Sequence, residues 1–237
     1  MTATGNIYLI PNVIAGDDID SSIPQGVLTV LRKLRHFIVE DLRTARRYLR
    51  KAGYTSDFDS DTTFFVLNKH TAPEDISGFL APALAGNDMG IISESGVPCV
   101  ADPGNAVVEI AQQKNIRVIP LVGPSSILLA LMASGFNGQN FAFNGYLPIK
   151  DNEKAKKLKE LENKIIKENQ TQIFIEAPYR NQKLLEFIVK TCNPQLKLCI
   201  ARNITAGDEY IKTKTLAQWK HNLPGVNKIN TIFLLYK

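Results

Sequence analysis

The stretch of sequence that decides the fold is Ile91-Ile92-Ser93-Glu94-Ser95-Gly96-Val97-Pro98-Cys99-Val100-Ala101-Asp102-Pro103-Gly104. The apolar run that ends at Ile92 is typical of a buried parallel strand, and the polar segment after it leads into a predicted helix. Ligands of open α/β sheets bind at the carboxyl ends of such strands. Glycines let a ligand approach the backbone closely, and prolines fix the shape of the loop. The stretch therefore predicts a small-molecule binding loop; the alternative interpretation is an ordinary connection between a strand and a helix.

Outward from this loop, apolar runs alternate with helical stretches along the first half of the chain. Predicted strands occupy residues 7–10, 37–39, 64–67, 89–92 and 118–122, and predicted helices occupy residues 24–35, 41–52, 74–85 and 103–114. This alternation favours an α/β fold with a largely parallel sheet.

A second unit is expected after Gly123 and Pro124. Its predicted helices lie at 125–134 and 150–168, and its predicted strands lie at 141–143, 173–176, 198–201, 210–213 and 232–236. The expected fold class is α/β, with two tandem α/β domains at 1–122 and 123–237. We expect a largely parallel sheet in the first domain and a mixed sheet in the second. Loops that face each other across two such sheets are a common place for a ligand.

Composition excludes several classes of protein. The 237 residues carry a net charge of +5, and 22% of them are charged, which is ordinary for a globular protein. The sequence has no run of about eighteen apolar residues and no signal-like amino terminus, so we expect a cytoplasmic protein without a membrane span. The three cysteines and three histidines lack metal-ligand spacing, so we expect no disulfides and no metal site.

Positive charge is concentrated in two segments. Residues 32–51 hold eight Lys or Arg against two acids, and residues 150–167 hold seven against four. A local basic surface is compatible with a phosphate backbone or with an acidic small substrate. The G-x-G-x-x-G and G-x-x-x-x-G-K motifs are both absent, which argues against an ordinary dinucleotide fold and against a P-loop nucleotidase.

Several further stretches, taken in order, carry a resemblance to a known family. They are Glu40-Asp41-Leu42-Arg43 with Arg46, Val118-Ile119-Pro120-Leu121-Val122-Gly123-Pro124-Ser125-Ser126, Asn144-Gly145-Tyr146-Leu147-Pro148, Glu176-Ala177-Pro178-Tyr179-Arg180 and Ala201-Arg202-Asn203-Ile204-Thr205. With the loop at 91–104, they resemble motifs of the tetrapyrrole methylase superfamily of S-adenosylmethionine-dependent methyltransferases. The resemblance is closer to the branch that methylates the ribose 2'-oxygen of small-subunit ribosomal RNA.

The resemblance implies an enzyme that holds S-adenosylmethionine, strongly bent, in a cleft between two α/β domains and releases S-adenosylhomocysteine. It also implies a homodimer whose partner is ribosomal RNA or the small ribosomal subunit. Methyl transfer from a sulfonium is an in-line displacement that needs no metal. The chain ends at Lys237, before the extra carboxyl-terminal domain that many RNA-acting relatives carry. We therefore expect the RNA contacts to come from the body of the protein or from a dimer.

Candidate site residues follow from the matched motifs. Expected cofactor contacts are Pro11, Ser93, Glu94, Ser95, Gly96, Pro98, Asp102, Pro124, Ser125, Ser126, Glu176, Ala177, Arg202, Asn203 and Thr205. Expected catalytic residues are Glu40, Arg43 and Asp102, and expected substrate contacts are Arg43, Arg46, His70 and Arg180. A general base should take the proton of a ribose hydroxyl. The carboxylates of Glu40, Asp41, Glu94 and Asp102 are all candidates for that role, and Asp102 can equally cap the helix after it.

Helical spacing places Arg43, Arg46, Arg47 and Arg50 on one face of the predicted helix at 41–52. Such a stripe can bind phosphates, or it can solvate the helix and pair with acids. We favour the second interpretation for Arg47 and Arg50 and phosphate binding for Arg43.

Two other functions stay open. A tetrapyrrole C-methyltransferase would share the fold and the cofactor. A non-catalytic S-adenosylmethionine-binding module is indicated by two departures from the family pattern. The turn after Pro11 lacks the usual glycine, and Asn203 stands where a glutamate is usual.

Overall fold

The computed structural model of the protein describes residues 4–68 and 70–237. The chain forms two compact units, Met1–Ser125 and Ser126–Lys237. The domain bounds expected from the sequence, 1–122 and 123–237, stay a prediction.

A parallel sheet forms the centre of the first unit. Its strands are β1 (Ile7–Ile10), β2 (His36–Val39), β3 (Thr63–Val66), β4 (Met89–Ile92) and β5 (Val118–Pro120). Their order across the sheet is β3-β2-β4-β1-β5, and each neighbouring pair is parallel. The largely parallel sheet that the alternating apolar runs predict is confirmed.

The helices of the first unit connect these strands. They are α1 (Gln25–Leu31), α2 (Leu42–Lys51), α3 (Pro73–Ile76), α4 (Ala81–Leu84) and α5 (Gly104–Gln113), with a 3₁₀ turn at Ser77–Leu80 between α3 and α4. The helical stretch predicted at 74–85 consists of two short α-helices joined by the 3₁₀ turn. Pro82 lacks the N–H that a continuous helix requires, and Gly78 has a low helix propensity.

Apolar side chains cover both faces of the first sheet, as a parallel sheet flanked by helices requires. On one face, Ile10 and Phe37 pack with α1 and α2, and both side chains are fully buried. On the other face, Ile38 and Ile91 pack with α5 and α4. Because both faces are covered, the strands hold the loops at their ends in fixed positions.

The second unit has a mixed sheet. Its strands are β6 (Phe141–Tyr146), β7 (Thr171–Ile175), β8 (Lys197–Arg202), β9 (Tyr210–Thr215) and β10 (Thr231–Tyr236), in the order β6-β7-β10-β8-β9. The β6–β7 pair is parallel, and the other three pairs are antiparallel. The mixed sheet predicted for the second half of the chain is confirmed.

Four helices and one 3₁₀ turn are seen in the described part of the second unit. They are α6 (Ser126–Ser134), α7 (Asp151–Glu168), α8 (Asn181–Thr191) and α9 (Leu216–Trp219), with a 3₁₀ turn at Pro178–Arg180. The sequence predictions missed α8, although its buried Leu184, Leu185 and Ile188 have helical spacing. Trp219 is fully buried, and its indole N–H donates to the carbonyl of Leu198 at 2.9 Å. Trp219 is therefore a packing residue.

In the part of the chain that the structure describes, no helix is both long enough and apolar enough to cross a membrane.

Gly123 allows the loop after β5 to lie directly against Pro11, which follows the neighbouring strand β1. A Cβ atom at position 123 would lie 2.1 Å from Cβ and 2.3 Å from Cγ of Pro11. The proline ring is rigid and has no rotamer that would move these atoms away. A side chain at this position would therefore push the two loops apart.

We predict that Gly123→Ala lowers the free energy of unfolding of the first unit by about 1–3 kcal/mol, because it overpacks this contact. Thermal unfolding followed by circular dichroism checks this. Gly138→Ala is the control, because a Cβ there would meet no atom within 4 Å. Equal melting temperatures for the two variants would contradict the proposed contact.

Candidate active site

The first unit brings three chain segments to one edge of its sheet. The last residues of β1 and β2 both pair with Ile92, the last residue of β4. Pro11, Glu40 and Ser93 are the residues that follow these three strands. Since parallel strands end at the same edge, the three loops begin side by side. We call the residues of these loops, Pro11 to Ile14, Glu40 and Ser93 to Gly104, the strand-end site.

Hydrogen bonds inside the strand-end site fix the loop after β4 against the loop after β1. The buried amide of Asn12 donates to the carbonyl of Ser93 at 3.1 Å, and its backbone N–H donates to the carbonyl of Gly96 at 2.9 Å. The Ser93 hydroxyl donates to Gly96 at 2.9 Å, and the Ser95 hydroxyl donates to the carbonyl of Ile14 at 3.2 Å. The two serine hydroxyls therefore shape the loop in this structure, while their expected cofactor contacts stay predictions.

Asp102 closes the second half of the same loop. Its two carboxylate oxygens accept from the backbone N–H groups of Cys99 at 2.7 Å and Gly104 at 2.8 Å. Cys99 and Ala101 adopt left-handed backbone conformations, with φ of 67° and 64°. Such angles are strained for residues other than glycine, and the Asp102 hydrogen bonds help to hold them. Burial, with the charge of Asp102, raises the pKa of the Cys99 thiol to about 12.

Glu94 and Asp102 are the two carboxylates whose charges act on Glu40, and we call these three residues the carboxylate cluster. The pKa of Glu40 is raised, first by burial and then by the negative charges of Asp102 and Glu94. A hydrogen bond from the backbone N–H of Glu94 acts in the opposite direction and lowers it. Glu40 is therefore a carboxyl group in an environment that favours proton uptake.

Helix α2 is positioned against the strand-end site by three polar contacts. Asp41 caps the helix by accepting from the backbone N–H of Thr44 at 2.9 Å. The Thr44 hydroxyl donates to Oε1 of Glu94 at 2.6 Å, and the Tyr48 hydroxyl donates to the carbonyl of Pro11 at 2.7 Å. These contacts tie α2 to the loops after both β1 and β4.

A polar cavity of about 250 Å³ lies beside these contacts within the first unit. Its walls are residues 12–17, the face of α2 that carries Arg47 and Lys51, and Glu94. Lys51 pairs with Asp17 across the wall of the cavity. The cavity thus has groups of both charges on its walls.

The arginine stripe predicted on α2 divides into side chains with different surroundings. Arg43, in the first turn, is exposed. Arg46 pairs with Asp59 at 2.9 Å, and its guanidinium lies over the rings of Phe58 and Phe64 at 5.2 and 5.4 Å. Arg46 therefore has a packing role in this structure, and its expected substrate contact stays a prediction.

The contacts of Arg50 agree with the structural role, without phosphate binding, that we favour for it from the sequence. Its guanidinium donates to the carbonyls of Tyr54 at 2.9 Å and Ser56 at 3.1 Å, and it lies 3.9 Å from the ring centre of Phe58. These contacts tie the end of α2 to the segment that follows it.

His70 is exposed in the turn after β3, which is the edge strand next to β2. Its backbone N–H donates to the side chain of Asn68 at 2.9 Å. A role for His70 in substrate binding stays a prediction.

Glu176 and Arg180 form a fixed ion pair in the second unit, after β7. The Glu176 side chain is only 3% exposed, and its Oε1 accepts from the backbone N–H of Ala177 at 2.7 Å and from Arg180 at 2.5 Å. This hydrogen bond is the main reason that the pKa of Arg180 is raised. The orientation of the guanidinium is thus set by a buried carboxylate.

The last residue of β8, Arg202, and two residues after it, Asn203 and Thr205, are three more of the expected cofactor contacts. Asn203 and Thr205 have left-handed backbone angles, with φ of 47° and 75°. The Asn203 amide donates to Asp208 at 2.8 Å, and the guanidinium of Arg202 lies 5.1 Å from the ring centre of Tyr210. These contacts hold a sharply bent loop at the end of β8.

The remaining expected cofactor contacts lie in both units. Pro98 is buried, in the first unit. A Cβ at Gly96 would lie 3.0 Å from the carbonyl oxygen of Pro124. Ser125 ends the first unit, and Ser126 is the first residue of α6 in the second.

Three residues that the sequence predictions did not assign have clear roles in the strand-end site. Asn12, Thr44 and Tyr48 make the contacts that join its loops. Thr44 stands three residues after Asp41, which is a helix-start pattern that the sequence displays. Asn12 and Tyr48 form hydrogen bonds with loops that are distant along the chain. No pattern in the sequence predicts these tertiary contacts.

Within residues 4–68 and 70–237, no group of three His, Cys, Asp or Glu side chains is arranged to hold a metal ion.

Comparison with known proteins places the chain in a family. The family described as Tetrapyrrole (Corrin/Porphyrin) Methylases matches residues 15–220. The chain belongs to this family, which confirms the resemblance to S-adenosylmethionine-dependent methyltransferases. It is therefore a methyltransferase that uses S-adenosylmethionine.

Particular relatives agree over nearly the whole chain. Ribosomal RNA small subunit methyltransferase I of Vibrio cholerae is 32% identical over 214 residues, which are 90% of this chain and 69% of the relative. The protein of the same name from Haemophilus influenzae is 31% identical over 235 residues, which are 98% of this chain and 78% of the relative.

Solved structures share the fold. The methyltransferase CobJ aligns over 99% of this chain and 95% of its own, with a TM-score of 0.64 and 16% identity. Uroporphyrin-III C-methyl transferase of Thermus thermophilus, in complex with S-adenyl homocysteine, covers 98% of both chains with a TM-score of 0.57 and 15% identity. These likenesses support the two-sheet α/β architecture.

The carboxylate cluster fits a cationic cofactor. S-adenosylmethionine carries a sulfonium, an ammonium and one carboxylate, and so has one net positive charge. The pKa of Glu40 is raised first by burial and then by the negative charges of Asp102 and Glu94, so the ionised cluster carries an electrostatic cost. A cation bound near the cluster would lower this electrostatic cost. The acidic side chains of the carboxylate cluster therefore suit the positively charged cofactor of the family.

We predict that Glu40→Gln raises the melting temperature of the first unit at pH 7 by about 1–3 °C. The folded state raises the pKa of Glu40, so the ionised carboxylate costs stability once the pH rises through that pKa. The gain should disappear below the ordinary pKa of a glutamate, about 4.3, where the side chain is protonated in both states.

Thermal unfolding of the two proteins between pH 4 and pH 8 measures this difference. Glu109→Gln, an exposed position on α5, is the matched control and should leave the melting temperature unchanged. A Glu40→Gln protein that is less stable than the wild type at pH 7 would show that the cluster is not a source of strain.

Proposed function

We propose that this protein transfers a methyl group from S-adenosylmethionine to a ribose 2'-oxygen of small-subunit ribosomal RNA. The observation that carries the proposal is the identity of 31–32% over 90–98% of the chain with proteins named Ribosomal RNA small subunit methyltransferase I. The solved structures of the methyltransferase CobJ and of uroporphyrin-III C-methyl transferase share 15–16% identity with this chain, which supports a common fold alone.

The chemistry assigned to this chain is proton removal at a positioned hydroxyl. The bound cofactor would supply an electrophilic methyl group. The ribose hydroxyl would lose its proton as its oxygen bonds to the methyl carbon, while the bond from that carbon to sulfur breaks and leaves neutral S-adenosylhomocysteine. We assign the proton to the Glu40 carboxylate. Glu40 is suited to the role because its pKa is raised toward the working pH while the side chain stays partly accessible.

The other carboxylates of the cluster are assigned to positioning. Both oxygens of Asp102 accept backbone N–H groups, and Oε1 of Glu94 accepts the Thr44 hydroxyl. These bonds hold the loop after β4 in place for the cofactor, and the charges of the two carboxylates add to the negative potential around Glu40. The sequence leaves four carboxylates as candidates for the base, and their surroundings favour Glu40.

Arg43 is assigned to the RNA. It is exposed at the start of α2, two residues after Asp41 and three after Glu40. A guanidinium in this position can bind a phosphate of the substrate and bring the ribose to the carboxylate. The exposure of Arg43, in contrast to the packed Arg46, supports this assignment.

Methyl transfer from tritiated S-adenosylmethionine into small ribosomal subunits tests the function, with subunits from a strain that lacks the protein. We expect wild-type protein to label the ribosomal RNA at a ribose oxygen. We expect Glu40→Gln to lower kcat by about 10²–10⁴-fold, the usual contribution of a general base. The wild-type rate should fall as the pH drops through the raised pKa of Glu40, because only the carboxylate accepts a proton.

Glu109→Gln serves as the matched control, and its rate should equal that of the wild type. Labelling of a tetrapyrrole, with none in the ribosomal RNA, would establish the alternative acceptor. Cofactor binding without transfer to either acceptor would contradict the proposed reaction. An acid limb that survives in Glu40→Gln would assign the proton to another group.

A homodimer in the cytoplasm is also proposed, since the family resemblance implies a dimer and the relatives are named for a ribosomal substrate. Leu128 and Met132, one turn apart on α6, are 49% and 77% exposed. Apolar side chains presented together on one helix face favour contact with a second copy.

We predict that the double variant Leu128→Lys with Met132→Lys is a monomer at concentrations where the wild type is a dimer, because two charges would enter the apolar contact. Sedimentation velocity measures the masses. Ile166→Lys, on the exposed face of α7, is the control and should stay dimeric. A monomeric wild type, or a dimeric double variant, would reject this interface.

A further inference from the structure

Two large aromatic side chains stand exposed beside Arg180 in the second unit. Tyr146, the last residue of β6, is 61% exposed, and Tyr179, in the 3₁₀ turn after β7, is 64% exposed. The parallel register pairs Tyr146 with Ile175, so both tyrosines lie at the same end of β6 and β7. Both also affect the pKa of Arg180, behind the larger effect of Glu176.

The guanidinium of Arg180, over the ring of Tyr179, is held in one orientation. Arg180 donates to the buried carboxylate of Glu176 at 2.5 Å and lies 5.4 Å from the ring centre of Tyr179. The second bond that Glu176 accepts, from Ala177, fixes the carboxylate in turn. A ligand that binds here would therefore not have to order the guanidinium first.

A cavity of about 490 Å³ opens next to this group, within the second unit. The residues that line it include Tyr179, Arg180, Lys154, Lys183 and Phe187. Its volume lies in the range that holds a small organic group such as a nucleoside.

The lysines of the cavity differ in their freedom. Lys154 is only 11% exposed, pairs with Asp151 at 3.0 Å and lies 4.8 Å from the ring centre of Phe187. Lys183 is exposed, on the first turns of α8. Lys154 thus supports the wall, while the ammonium of Lys183 is accessible to an anion.

Exposed aromatic rings beside a fixed guanidinium and an accessible lysine match the chemistry of single-stranded RNA. Unpaired bases stack on tyrosine rings and on arginine planes, and the phosphates between them pair with lysine. A ring face and a guanidinium carry no base-specific code, so the contact would tolerate several sequences.

We infer that Tyr146, Tyr179 and Arg180 form a stacking surface for an unpaired nucleobase of the RNA substrate, and that Lys183 binds the adjoining phosphate. This inference rests on the proposed function, because it names a contact for the substrate of that reaction. It assigns Tyr146 and Tyr179 to substrate positioning, with no part in proton transfer.

Steady-state methyl transfer into small ribosomal subunits tests the surface with Tyr179→Ala, Tyr146→Ala and Tyr179→Phe. We expect each alanine variant to raise the KM for the subunit by about 5- to 150-fold, the range for losing one stacked base, with kcat within about twofold of the wild type. Tyr179→Phe keeps the ring and should keep the wild-type KM. Ile166→Ala removes an exposed apolar side chain from α7 and is the matched control.

Two further measurements separate stacking from other roles. The affinity for S-adenosylmethionine, measured by calorimetry, should be the same in all the variants. The dependence of KM on salt should keep its slope in Tyr179→Ala and become shallower in Lys183→Ala, because only the second change removes a charge.

Each outcome is decisive for the inference. A wild-type enzyme that labels the RNA, with unchanged KM in both alanine variants, overturns the stacking surface and leaves the proposed function intact. Weaker cofactor binding in Tyr179→Ala assigns the ring to the cofactor and overturns the inference. Failure of the wild type to label or bind ribosomal RNA overturns both proposals together.

Discussion

The parallel pairing of β4 between β1 and β2 is the constraint on which the rest of the first unit depends. Ile92 is the partner of the last residue of both neighbours, so three loops start at one edge of the sheet. Apolar packing on both faces of the sheet keeps the strands in this register. A shift of one residue would turn the buried side chains to the other face and separate Glu40 from the loop after β4.

The loops at that edge are held by hydrogen bonds, but they also contain a carboxylate whose ionised form is destabilised. The side chains of Asp102 and Asn12 form hydrogen bonds with backbone groups. These bonds hold a loop in which two residues have left-handed backbone conformations. Glu40 differs from these residues, because burial and neighbouring negative charge destabilise its ionised form and raise its pKa. A site that is destabilised in this way is typical of residues kept for chemistry or for binding a cation. The same cluster thus suits both a cationic cofactor and the removal of a proton.

In the second unit, the buried carboxylate of Glu176 fixes the side chain and the turn that follow β7. It orients Arg180, which lies beside two exposed tyrosines. Buried charges are retained when they are paired, and a guanidinium held by one carboxylate keeps its outer face available. The hydrogen bond within the protein thereby prepares a surface for a planar ligand.

Local patterns in the sequence predicted the α/β class, the parallel and mixed sheets, the loop after β4 and the family. These patterns depend on residues that are close together along the chain. They can therefore be read from a single sequence. The sequence did not predict the 3₁₀ turn between α3 and α4 or the helix α8, and it left four carboxylates as candidates for the general base. Tertiary structure decided that Asp102 binds backbone groups, that Arg46 packs with Asp59 and Phe58, and that Glu40 has the raised pKa. These differences come from contacts between residues that are distant along the chain, and burial and charge act through such contacts.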